Sequence, residues 1–148
     1  MDTQTIAAGM MQAVPFARTL GVKFLDAGPD RAVLALPDAE ELHNHVGGPH
    51  AGAMFALGET ASGAVVMAAF GEQMTRAVPL AVRAEIAYRK LAMGEVRATA
   101  TLGRPAADVI AELDAGTRPE FDVPVEISTE DGTVVAEMLV VWTLRPNR

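Results

Sequence analysis

From Gly52 to about Phe70 the chain runs through alanine, methionine, leucine and valine with no alternation, and Glu59 is the only charge inside the run. A stretch this long exceeds an ordinary strand and predicts a buried helix. A helix that is apolar all round has to be covered by other elements. Glycines 58 and 63 sit inside it, each costing roughly 1 kcal/mol against alanine, so another layer must approach the helix closely there. The rest of the chain therefore has to supply a sheet that wraps one helix.

The second half has the pattern to do so. In "LAVRAEIAYRK", Leu80, Val82, Ala84, Ile86 and Tyr88 alternate with Ala81, Arg83, Glu85, Ala87 and Arg89, as on a half-buried antiparallel strand. "EVRATATL" repeats the pattern through Val96, Ala98, Ala100 and Leu102. "FDVPVEIST" and "TVVAEMLVVWTL" flank "EDG", whose Asp131-Gly132 is a strong hairpin signal. Pro124 cannot donate to a ladder, which predicts an edge position or a bulge. Residues 104–120 read as a longer connection with one helical turn.

Ahead of the apolar run, Ile6, Met10, Val14 and Ala17 have helical spacing over residues 3–20, with Pro15 expected to kink or end that helix. "GVKFLDA" and "AVLALP", separated by "GPD", predict a hairpin. The order helix, two strands, long helix, four strands gives an α+β fold in two layers, a six-stranded antiparallel sheet wrapped around a central helix. With 148 residues and no repeat, linker or low-complexity tract, one domain over residues 1–148 is expected.

Composition removes whole classes of function. A formal net charge of −7 leaves little basis for gripping nucleic acid or an anionic membrane, so neither is expected as a partner. The absence of cysteine excludes disulfides, cysteine-ligated zinc and a thiolate nucleophile. Asp2 stands where a secretory signal would want positive charge, and Glu59 and Glu72 bracket the best candidate for a membrane span. The expected location is cytoplasmic.

Placed on a helix, Glu59 shares a face with Gly52, Phe55, Ala56, Ser62, Gly63 and Val66, most of them small, which predicts a groove. A lone glutamate there either meets solvent, pairs with a buried arginine, or does chemistry. The preceding "GGPHAG" offers backbone N–H groups at a helix start, where the dipole favours an anion or a developing oxyanion. Without a following Lys-Ser/Thr it is not a P-loop. His43, His45 and His50 are donor types found in metal sites, but in a loop of this kind they read as hydrogen-bonding residues, and no metal or other cofactor is expected. The letters "HNH" match a nuclease label by chance in so acidic a chain.

These residues also carry a resemblance. "NHVGGPHAGAMFALGE" resembles the "N-x-x-G-x-x-H-G-G … D/E" segment of hotdog-fold acyl-CoA thioesterases, in particular the PaaI-like group, with six residues from Asn44 to His50 and nine from His50 to Glu59. "AEIAYRKLAMGEVRATATL" and "VPVEISTEDGTVVAEMLVVW" are similar to that family's long central strand and closing hairpin, so the likeness covers roughly residues 15–145. The resemblance implies a hotdog fold and hydrolysis of an acyl-CoA thioester. It makes Glu59 the base that activates water or the nucleophile that attacks the carbonyl. It gives the N–H groups of Ala51 and Gly52 the carbonyl oxygen, Asn44 the water or carboxylate, and His50 the shaping of the loop and a bond to the substrate. Arg89 and Lys90 become candidates for the coenzyme A phosphates. The family's groove lies between protomers, so a homodimer, often paired into a homotetramer, is implied.

The chain departs from the family in four places. His50-Ala51-Gly52 replaces His-Gly-Gly, and Ala81 stands where many members carry an assisting Ser or Thr. "YRKLA" replaces "Y-x-x-P-A", and residues 104–120 are longer than the typical connection. Two other functions suit the same fold. A 3-hydroxyacyl dehydratase would pair His45 with Glu59, fourteen residues on, although that group's proline-rich loop is absent. A non-catalytic acyl-CoA-binding module is the third.

Overall fold

The computed structural model describes residues 1–148. Asp2 starts the first helix, α1 (Thr3–Ala13), by accepting the Thr5 N–H at 2.8 Å, which satisfies one of the donors a helix start leaves unpaired. Pro15 ends that helix and opens α2 (Pro15–Leu20) as its first residue, where a missing N–H has no partner to lose. Residues 3–20 are therefore two helices. Strands β1 (Lys23–Ala27) and β2 (Arg31–Leu36) form the expected hairpin, closed by the Gly28 N–H on the Arg31 carbonyl at 2.9 Å.

The apolar run is α3 (Ala51–Phe70), followed by β3 (Ala77–Tyr88), β4 (Val96–Thr101), α4 (Ala106–Asp114), β5 (Glu120–Thr129) and β6 (Val134–Pro146). All six strands lie in one antiparallel sheet with the order β1-β2-β4-β5-β6-β3. The sheet wraps α3, and with the short helices they build a core of 33 buried residues. Phe70 packs on Phe121 of β5 with ring centroids 5.0 Å apart.

The two helix glycines mark close approaches. A Cβ at Gly58 would stand 2.5 Å from the Met138 sulfur of β6, and one at Gly63 would meet Met10 of α1 and Trp142 of β6. By length and hydropathy α3 and the turn after it could cross a bilayer. Its place under the sheet accounts for the same apolarity.

Three expectations need correction. The even-numbered face read for β3 holds only after a bulge at Val82, which has no partner between the pairs Ala81–Trp142 and Arg83–Val141. Cross-strand partners share a face, so Ala81 joins Ala84, Ile86 and Tyr88 on the helix side, and the extra residue turns Leu80 to the other.

Pro124 lies in an interior strand, paired with Leu139 of β6, while the ladder with β4 stops at Val125. Asp122 turns its carbonyl to the β4 side, where it accepts the Gly103 N–H. Two residues on, the proline nitrogen faces the same way, past the end of the ladder, where no donor is needed.

The connection 104–120 holds a nine-residue helix, α4, rather than a single turn, because Val109 and Leu113, one turn apart, are both buried.

Candidate active site

Asn44 shapes the loop before α3. Its side-chain oxygen accepts the N–H groups of Val46 and Gly48 at 3.0 and 3.1 Å, and its amide nitrogen donates to the Pro49 carbonyl at 3.3 Å. Its side chain is thus engaged within residues 44–49 and not with Glu59. Gly48 must be glycine on steric grounds, since a Cβ there would lie 2.3 Å from the Ala92 carbonyl oxygen.

His50 is the cap of α3: its Nδ1 accepts the Gly52 N–H at 2.8 Å. A neutral ring accepting at Nδ1 holds its proton on Nε2. The first N–H groups of a helix have no carbonyl within it to bond. Of the two expected to hold a carbonyl oxygen, that of Gly52 is therefore engaged by His50, and that of exposed Ala51 precedes the first helical hydrogen bond.

Two turns on, Glu59 is partly buried, and its carboxylate meets no arginine, lysine or hydrogen-bond donor. Burial alone pushes its pKa above the usual carboxylate value of 4.5, because a carboxylate removed from water without a partner disfavours its charge. The arginine pairing open to a lone glutamate does not occur.

The groove is narrower than the sequence suggested. Gly52, Phe55, Ala56 and Glu59 remain at least partly open. Ser62 is fully buried: its hydroxyl donates to the Glu59 carbonyl at 2.6 Å and accepts the Trp142 indole N–H at 2.9 Å. Gly63 is met by Met10 and Trp142, Val66 lies in the core, and Met138, Val125 and Ile127 close over Gly58. The small residues past Glu59 admit the sheet instead of leaving space for a ligand.

The remaining residues fall elsewhere. The guanidinium of Arg89 lies 3.5 Å from Glu137, away from Glu59. Lys90 is exposed, beside a hollow shared with Asp38, Leu91, Met93 and Asp131. His43 bonds Asp38 at 2.6 Å, and His45 stands exposed in the loop. No three or more His, Asp or Glu side chains gather with metal-binding geometry. A cavity of about 790 Å³ is lined by Glu85, Thr99, Glu126 and Glu137, and Glu59 takes no part in it. The carboxylate and the helix start are a better guide to chemistry than cavity size, because they combine an unpaired charge with the open Ala51 N–H and with a Gly52 N–H held only by the exposed His50 ring.

One residue escaped the sequence reading. The Tyr88 hydroxyl donates to the Ala51 carbonyl at 2.8 Å and ties the end of β3 to the start of α3. Its signals were its place last in the alternation of that strand and its match to the tyrosine of "Y-x-x-P-A".

A six-stranded antiparallel sheet around one central helix, with an unpaired carboxylate two turns inside the helix, is the hotdog fold that the sequence resemblance implied. The chain belongs to the family described as Domain of unknown function (DUF4442), whose model matches residues 2–144. No curated protein matches it. Among solved structures, a protein of unknown function from Pseudomonas aeruginosa, described as a probable thioesterase, is 25% identical with a TM-score of 0.86, over 99% of this chain and 97% of that one. A thioesterase family protein from Silicibacter pomeroyi is 20% identical with a TM-score of 0.75, over 97% and 98%.

Proposed function

We propose that this chain is a thioester hydrolase acting on an acyl-CoA, and that Glu59 is its reacting group. The observation that carries the reading is the Glu59 carboxylate itself: partly buried, without partner, and on the open face that leads to the helix start. Nothing structural accounts for an unpaired charge there, since removing it from water costs free energy that no neighbour returns. The Pseudomonas aeruginosa neighbour, described as a probable thioesterase, supports the same reading.

The chemistry has two forms. As base, Glu59 takes a proton from water while the hydroxide adds to the thioester carbonyl, and collapse expels CoA thiolate, which takes up the proton. As nucleophile, the carboxylate adds directly and expels the thiolate, leaving an acyl-glutamyl anhydride that water then cleaves. In both, the oxygen gains negative charge, which the N–H groups of Ala51 and Gly52 hold. Asn44 and His50 fix the loop that presents them.

Arg89 and Lys90 are proposed for the CoA phosphates. A second copy completes the groove: the outer edge of β3 has no partner strand, and Val82 on that strand is 44% exposed. The assembly proposed is a homodimer or homotetramer.

Purified protein offered a panel of acyl-CoAs is expected to release free thiol. A 2-enoyl-CoA in the same panel should lose its absorbance only in step with thiol release, and loss of absorbance without thiol would replace the hydrolase with the dehydratase. Silence in both assays, with a melting temperature raised by CoA esters, would make the chain a binding module.

A further inference from the structure

Two side-chain hydrogen bonds join the sheet to α3. One is buried, from Trp142 to Ser62, and the other runs from Tyr88 to Ala51 at the helix start. The second is half-exposed, where water competes and a hydrogen bond contributes little net stability. Its position gives it another consequence. The Ala51 carbonyl, which accepts from Tyr88, and the Gly52 N–H, which donates to His50 Nδ1, belong to one peptide unit.

That unit is planar and rigid, so a hydrogen bond at each end fixes its orientation. A donor on the carbonyl oxygen also draws electron density from the nitrogen and makes the N–H a better donor, by about 10–30% per bond in such chains. Burial pushes the Tyr88 phenol above its usual pKa, so it keeps its proton and remains a donor through neutral pH.

We propose that Tyr88 is a positioning residue: through the Ala51–Gly52 peptide it aims and polarises the Gly52 N–H, and His50 Nδ1 occupies that donor until a thioester carbonyl oxygen takes its place. The proposal rests on the hydrolase reading. It also explains why a helix start built to hold a carbonyl oxygen has one of its donors engaged when no substrate is bound. Gly52 keeps an acceptor throughout, first the imidazole and then the substrate, so an unpaired N–H never has to be carried into the groove.

Tyr88→Phe keeps the ring and removes only the donor. The amide proton of Gly52, followed by NMR in the free protein, is expected to move upfield as its bond to His50 weakens. The variant should show kcat lower by about three- to tenfold with KM unchanged, a fraction of the loss that follows removal of a whole oxyanion donor. Its melting temperature should stay near that of the wild type. A Gly52 signal that does not move overturns the proposal, and so does a moved signal with kcat unchanged. If the wild type hydrolyses no thioester, the hydrolase reading falls with the catalytic part of the proposal, and the Gly52 signal still tests the hydrogen-bond chain separately.

Discussion

The two halves of α3 are built from the same kinds of residue and reach opposite conditions. From Thr60 to Val66 every position except Gly63 is buried, held by Met10 of α1, by Trp142 and by the core. From Ala51 to Glu59 the helix is open along one side, with Ala51 and Gly52 exposed and Phe55, Ala56 and Glu59 partly so. The difference lies in what faces each half. Where Gly63 lets α1 and β6 converge, the helix is locked. Where β3 runs out at Tyr88 and the 44–49 loop turns away, the Ala51 N–H and a carboxylate stay open, and the Gly52 N–H is held by His50 alone. A single helix thus has a closed back half and an open front half.

The comparison breaks most sharply at its boundary residue. Glu59→Gln should lower kcat/KM for the best acyl-CoA by about 10²–10⁴-fold, the range for losing a positioned proton-transfer group. Thiol release at the wild-type rate would remove Glu59 from the chemistry and leave the front half without a function.

At the back, Ser62→Ala leaves the Trp142 indole N–H buried without an acceptor, at a cost of about 1–3 kcal/mol. Urea unfolding should show that loss while KM and kcat hold. A fall in kcat with stability intact would mean the two halves are not separable.

A smaller effect appears in stability against pH. The folded-state pKa of Glu59 lies above its ordinary 4.5, so the folded protein binds this proton more tightly than the unfolded chain. The group therefore lowers stability as pH rises from the ordinary value through the raised one, and the penalty persists above it. Glu59→Gln should melt higher than wild type at neutral pH, with the gap closing as acid protonates the glutamate. A variant that melts lower at neutral pH would mean the carboxylate has a stabilising partner.

The finest test is the acid limb of the rate profile. Activity should rise with pH as Glu59 ionises, with a midpoint above the ordinary carboxylate range, in single-turnover measurements on one substrate. A midpoint at or below 4.5 would contradict the burial found at this position.

Much of the molecule was legible in the chain. The α3 run, the Pro15 break and the Asp131-Gly132 turn follow from local chemistry. At that turn Asp131 accepts from Thr129 and Thr133, which holds its carboxyl down to about 2. The candidate carboxylate was legible too, as the one charge in an apolar run. The contacts that set its surroundings were not. The bulge at Val82 depends on which residues of β6 lie opposite. The closing of the groove past Glu59 depends on Trp142, eighty residues from Ser62, and Tyr88 meets Ala51 across 37 residues.

The sequence by itself determined the elements, their order and the place of one lone charge in an apolar run, because propensity, turn chemistry and hydrophobic period act over a few residues. Only the tertiary structure decided which half of α3 stays open and which donors point into it. Those outcomes depend on strand order and register, which bring together residues that no local pattern relates.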